Sequence, residues 1–275
     1  MTQTVTIAEL NAMKRAGRKI VGVVVWDSQM AAIADRVGVE IVSVGDSIGI
    51  NLWGRDDSAA VTLEEMLIVA RAVRAGTQRA LLSCDLPLDP ARAGPRSALE
   101  AARRLAAEAG VDMVKLDGAA DRPDAVAAIA RAGIPVWAQF GVTPAIARAF
   151  GIPYQDQAAP GTDLPVALEA RLVAEAERLE SAGAALLDFK NSGPAAGAAV
   201  TAAVAIPVIG GFGGGPWLDG RVRMANAAIG YAARNVGEDI DAYANVAETA
   251  YRALGALSDD VRAARQIKGV ARPKA

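Results

Sequence analysis

The amino-acid sequence predicts an α/β fold, a (β/α)8 TIM barrel with an N-terminal capping helix, on three observations. Short runs rich in β-branched residues recur between Ala-rich segments whose apolar residues return every three or four positions, the rhythm of strands alternating with amphipathic helices. The runs are apolar on both faces, as parallel strands covered by helices are. Eight strand–helix units in 275 residues match the usual size of such a barrel, about 250 residues. A doubly wound open sheet is the alternative. It requires fewer strands and a Gly-rich turn after the first, whereas the first run here leads into WDSQMA, which has no glycine.

In chain order, residues 6–16 read as a short helix covering the bottom of the barrel. Strands are expected at residues 20–26 (IVGVVVW), 40–45 (EIVSVG), 79–85 (RALLSCD), 113–117 (MVKLD), 135–140 (PVWAQF), 185–190 (ALLDFK), 206–210 (IPVIG) and 227–231 (AAIGY). Helical periodicity marks residues 62–75, 96–109, 122–132 and 163–182 between them. Residues 154–162 (YQDQAAPGT) read as a loop rather than a domain boundary, because the same rhythm resumes after them. The tail after Gly269 is expected to fray. Residues 1–275 are therefore expected to form a single barrel domain.

Composition narrows the function. With 29 Lys+Arg against 31 Asp+Glu and a net charge of −2, no excess positive charge is available to hold a phosphate backbone, so no nucleic-acid partner is expected. The longest strongly apolar run, residues 20–26, is far short of the roughly 20 residues that span a bilayer. The first residues, MTQTVTIAEL, show neither the basic start nor the apolar run of a signal peptide. One cysteine, Cys84, permits no internal disulfide and fits a reducing cytoplasm. The absence of histidine excludes Ser-His-Asp and Cys-His systems, imidazole acid–base catalysis and the usual zinc sites. A bound metal would need oxygen ligands, which favours Mg2+ or a similar hard ion such as Mn2+.

In a barrel of this class the active site lies at the C-terminal ends of the strands. The polar residues there are Asp27, Asp46, Asp85, Lys115, Asp117, Gln139, Asp188 and Lys190. Strand alternation puts Lys115 and Asp117 on one face, and Asp188 and Lys190 on one face; if those faces point inward, all four approach one pocket. Asp46 and Asp85, on neighbouring strands, offer the hard-oxygen pair that Mg2+ needs, with positions left for water and a bidentate 2-oxo acid. An Asp closing a strand is also a common helix N-cap, so each position has a purely structural reading as well. Trp26, Trp53, Trp137 and Trp217 fall at strand ends or in loops, where they either narrow a pocket or pack beneath the loops. The glycines at 210, 211, 213, 214 and 215 read first as a flexible loop.

The segment VGDSIGINLWGRDDSAAVT, residues 44–62, resembles the VGDSxG…GxDxxxxVT signature of the ketopantoate hydroxymethyltransferase family, of the phosphoenolpyruvate mutase/isocitrate lyase superfamily of barrels. The resemblance continues in order through CDLP, MVKLDG, FGVTP, SAGAALL and IPVIGGFGGG, nearly the whole chain. It implies that Asp46 and Asp85 hold Mg2+, that Ser47 helps bind the 2-oxo acid, and that Lys115 contacts its carboxylate or oxo group. It further implies an enolate, formed when C3 loses a proton, that attacks a one-carbon unit carried by 5,10-methylenetetrahydrofolate. A homo-oligomer is implied too, a decamer being one form.

Three positions depart from that pattern. Asp117 stands where the family has Glu, Gln139 where it has His, and Lys190 where the family's proposed base, a Glu, ends the sixth strand. These changes fall on groups that handle protons and substrate and leave the Asp pair intact, which implies a relative with an altered base and an altered substrate or reaction. Lys190 has three readings: a cation binding an acidic substrate, a base or Schiff-base nucleophile, or an ion-pair partner of Asp188. A lyase or hydrolase acting in the retro-aldol or decarboxylating direction, and a non-catalytic 2-oxo acid-binding barrel, are the alternative functions.

Overall fold

The computed structural model describes residues 4–58, 60–154, 164–191, 193–211 and 215–269. Eight strands close a barrel in sequence order: β1 (Ile20–Val24), β2 (Ile41–Val44), β3 (Leu81–Asp85), β4 (Met113–Leu116), β5 (Val136–Gly141), β6 (Leu186–Lys190), β7 (Val208–Gly210) and β8 (Gly220–Met224). The neighbouring pairs from β1–β2 through β7–β8 are parallel, and Ile20 N donates to Asp219 O across the first and last strands at 2.9 Å. The expected (β/α)8 barrel is what the chain forms.

Two-residue alternation sorts the interior into layers. Ile20, Ile41, Leu81, Met113, Trp137, Leu186, Ile209 and Val222, one from each strand, form an apolar floor. Leu10 and Met13 of the helix Ile7–Arg15 pack into that floor from below, so the expected capping helix closes the bottom. Lys14 fastens it, its Nζ lying 3.0 Å from Asp219 Oδ2 and donating to Thr201 O and Ile206 O. Two residues further along β2 to β6, the polar residues Ser43, Ser83, Lys115, Gln139 and Asp188 replace apolar ones, and the mouth of the barrel is where charge can reach water.

The helices Ser28–Val37, Leu63–Gly76, Pro95–Ala109, Pro123–Arg131, Val166–Ser181 and Pro194–Ala203 follow the strands. Their starts are local chemistry: Thr62 and Glu65 form a capping box, and Pro occupies the first turn of several.

The eighth strand is a correction. It lies at Gly220–Met224 rather than residues 227–231, where the helix Ala225–Ala228 ends instead. Gly220 and Val222 are buried while Arg221 and Arg223 are exposed, so a search for runs apolar on both faces passes over GRVRM, and the Ala-rich stretch after it favours helix. Two compact units result from the pattern of contacts, Met1–Arg223 and Met224–Ala275. The second contains the helix Val246–Arg262, whose N-cap Asn245 accepts from Glu248 N. Most of the loop read at residues 154–162, Gly213 and Gly214 of the glycine run, and the tail after Gly269 lie outside the described residues.

Candidate active site

The register of the strands decides which polar groups meet. Asp85 on β3 pairs with Lys115 on β4, Gln139 on β5 pairs with Asp188 on β6, and two residues higher Gly141 pairs with Lys190. Lys115, 8% exposed, is the hub. Its Nζ lies 3.5 Å from Asp85 Oδ2 and 3.8 Å from Asp188 Oδ2, and it forms its closest ion pair with Asp117 Oδ1. Gln139 Nε2 donates to Asp188 Oδ2 at 3.0 Å, and Gly211 N donates to Asp188 Oδ1 at 3.4 Å.

Asp46 and Ser47 reach this cluster from the end of β2. Asp46 N donates to Asp85 Oδ2 at 3.2 Å. Gly45 makes room: a Cβ there would stand 3.1 Å from Ser47 Oγ and 3.6 Å from Asp85 Oδ2. Ser47 starts the short helix Ile48–Asn51 without capping it through its hydroxyl. Ser58, in the loop that follows, hydrogen-bonds the Asp46 carboxylate.

Charge in this enclosure is unbalanced. Burial, reinforced by Asp117 and Asp46 against the pull of Lys115, pushes the Asp85 carboxyl up to about 8. Burial first, then the charge of Asp117, raises Asp46, with Lys115, Ser58 and Lys190 opposing. Burial also raises Asp188 against Lys115 and Gln139. Lys115 is held well above the usual lysine range, because Asp117, Asp85 and Asp188 together outweigh the burial that alone would lower it. Asp85 Oδ1 is buried with no hydrogen-bond partner, a costly state for a carboxylate oxygen.

Those features fit an oxygen-ligated cation at Asp46 and Asp85. Among the described residues no three Asp, Glu or Cys side chains form a metal cage of their own, so two carboxylates leave the remaining positions to water and a bound ligand, as Mg2+ prefers.

The structure therefore brings Asp46, Ser47, Asp85, Lys115, Asp117, Gln139 and Asp188 together. Lys190 is placed differently. Among the described residues it forms no ion pair, with Asp188 or any other carboxylate, and it lines a cavity of about 470 Å3 that also touches Asp117 and Gln139. Asp27 stands apart: its Oδ1 accepts from Gln29 N and Met30 N as the cap of the helix Ser28–Val37. Of the tryptophans, Trp137 belongs to the floor and Trp53 carries the Arg55 guanidinium 5.0 Å from its ring centre. The sequence reading missed Ser58 and the Gly211 amide, for which loop residues gave no periodic signal.

The model of the ketopantoate hydroxymethyltransferase family matches residues 4–266. The chain belongs to this family. It is 35% identical over 250 residues to the 3-methyl-2-oxobutanoate hydroxymethyltransferase of Geobacillus kaustophilus, covering 91% of this chain and 87% of that one. With the enzyme of the same name from Cyanothece sp. it shares 34% over 260 residues, 94% of this chain and 96% of the other. It is thus an enzyme of the hydroxymethyltransferase type. The solved structure of 2,3-dimethylmalate lyase, a PEP mutase/isocitrate lyase superfamily member, superposes with a TM-score of 0.60 at 14% identity over 98% of this chain and 92% of that one, a likeness of fold. Asp117, Gln139 and Lys190 all line the one cavity, which Asp46, Ser47 and Asp85 do not line.

Proposed function

We propose that this member of the family makes or breaks a C–C bond beside the carbonyl of a 2-oxo acid, with Mg2+ or Mn2+ held by Asp46 and Asp85, and that its substrate differs from 3-methyl-2-oxobutanoate. One observation carries the reading: four carboxylates, Asp46, Asp85, Asp117 and Asp188, gather around the Lys115 ammonium at the barrel mouth, with Lys190 the one further cation acting on them. That surplus of negative charge calls for a cation.

A divalent ion held by Asp46 and Asp85 would supply Lewis-acid polarisation of the oxo group. The chain's own groups do the rest. Lys115, fixed by three carboxylates, presents its ammonium to the substrate carboxylate or oxo group, and Asp117 keeps that ammonium oriented. Ser47 donates its hydroxyl. Asp188 takes the C3 proton, since burial makes it a stronger base than an ordinary carboxylate, while Gln139 holds its orientation. Lys190 binds the remainder of the substrate. The electrophile assigned first is the one-carbon unit of 5,10-methylenetetrahydrofolate.

Exchange of C3 protons with D2O, followed by NMR over a panel of small 2-oxo acids, tests the shared half-reaction without the one-carbon donor. Exchange that stops with a chelator and returns with Mg2+ is expected. No exchange with any member of the panel overturns the reading.

A further inference from the structure

The cavity beside the cluster has the opposite electrical character. Its walls carry Arg92, Arg122, Arg171 and Lys190 against Asp117, Asp121 and Glu175. Two of those carboxylates are engaged: Asp117 with Lys115, and Glu175 with Arg171, whose Nε lies 2.8 Å from Glu175 Oε1. Of the carboxylates that line the cavity only Asp121 is left to Arg92, Arg122 and Lys190, the charge of Lys190 also acts on Asp46, and among the described residues none of the three has an ion-pair partner. Arg122 is the telling one. It is half-buried and donates through Nη1 to Asp117 O at 3.0 Å and Gly118 O at 3.1 Å, neutral acceptors that fix the guanidinium without discharging it. Gly118, at φ +63, is needed for this approach, because a Cβ there would meet Arg122 Nη1 at 2.8 Å.

We infer that this cavity binds a second, distal carboxylate on the substrate, so that the enzyme acts on a 2-oxo diacid, with Arg122 and Arg92 as specificity residues; this rests on the reading above. The cavity shares Asp117, Gln139 and Lys190 with the reaction site, so one molecule spans both. Its volume of about 470 Å3 lies within the range of small-molecule sites. A planar guanidinium held by backbone carbonyls is preorganised for a carboxylate. The same cations would also serve the glutamate carboxylates of a folate, which the test separates.

Isothermal titration of the protein in Mg2+ compares 2-oxoglutarate with 2-oxopentanoate and 2-oxoadipate with 2-oxohexanoate, pairs matched in length and differing in the distal charge. The diacids are expected to bind at least about tenfold tighter, and Arg92→Gln and Arg122→Gln to reduce that preference by roughly three- to tenfold each, with partial recovery in Arg122→Lys. Arg92 is exposed, so its variant keeps the test valid if Arg122→Gln fails to fold. Equal binding within each pair overturns the inference, as does a diacid preference that neither Gln variant lowers, or a loss confined to a separate titration with 5-formyltetrahydrofolate. C3 exchange of the monoacids without diacid preference defeats this inference and leaves the function above standing; diacid preference with no exchange does the reverse.

Discussion

Lys115 Nζ stands 3.5 Å from Asp85 Oδ2, yet the carboxyl of Asp85 is still pushed up to about 8. The reason is division of one charge. The same ammonium serves Asp117 and Asp188, and an opposite charge shared among three carboxylates cannot repay the burial of each. The floor of Ile41, Leu81, Met113, Trp137 and Leu186 beneath them does not help, since its one polar side-chain atom, Trp137 Nε1, is buried without a hydrogen-bond partner. The cluster is therefore held together by the barrel against its own electrostatics, a state suited to capture of a cation and poor as a purely structural network.

Asp85→Asn tests that state through stability. Because the folded pKa of Asp85 lies above the unfolded value of 3.8, the folded chain holds a proton that the unfolded chain releases. The stability this lends is complete below about pH 4 and is lost as pH rises through about 8. Asn imitates the protonated carboxyl and still presents an oxygen to Asp46 N. With a chelator present, the variant is expected to melt above the parent at pH 8.5 by about 1–3 kcal/mol, roughly 3–10 °C, and to match it near pH 4.5. Added Mg2+ should raise the Tm of the parent alone. Thermal melts across pH with and without Mg2+ check this, and a variant that still gains stability from the ion refutes the assignment of Asp85 as a ligand.

How much of this could be read beforehand depends on whether the signal was periodic. Lys115, Asp117, Asp188 and Lys190 follow from two-residue alternation on strands whose apolar neighbours announce them, and the floor residues two positions earlier obey the same parity. The strand β8 was missed because its outward residues, Arg221 and Arg223, are exposed and charged. Asp27 and Asp46 are alike in sequence, each an Asp after an apolar run. Only tertiary environment separates them, since Asp27 turns to the amides of its own helix while Asp46 turns to Asp85. The positive cavity was invisible for another reason: Arg171 and Glu175 sit at helical spacing that reads as an ordinary solvated face, and Arg122 follows a 3-10 turn.

Asp27→Ala is the converse experiment to Asp85→Asn. As a cap, Asp27 satisfies the Gln29 and Met30 amides, so its loss should cost about 0.5–2 kcal/mol of stability. The rate of C3 exchange at a temperature well below melting should stay within twofold of the parent. A tenfold fall in that rate, with the melting temperature unchanged, would assign Asp27 to the active site instead.

Lys190 decides whether the mouth of the barrel binds or reacts. It lines the positive cavity with no carboxylate partner among the described residues, and Asp188, two residues below it on the same face of β6, is occupied by Lys115 and Gln139. A cation so placed is available to an acidic substrate. Lys190→Gln should then raise KM by roughly tenfold or more with a smaller fall in kcat, and Lys190→Arg should retain most activity because the charge persists. A base behaves otherwise: neither guanidinium nor amide accepts the proton at neutral pH, so both variants would lose about 10²- to 10⁴-fold in kcat with KM little changed. Lys190→Glu adds a third measurement, placing a carboxylate at the end of β6 beside Asp188. Hydroxymethyl transfer to 3-methyl-2-oxobutanoate that appears in this variant alone would show that the charge at residue 190 selects the substrate. Steady-state kinetics on the three variants separate the roles, and a large loss of kcat in Lys190→Arg at constant KM would overturn the binding role in favour of the base.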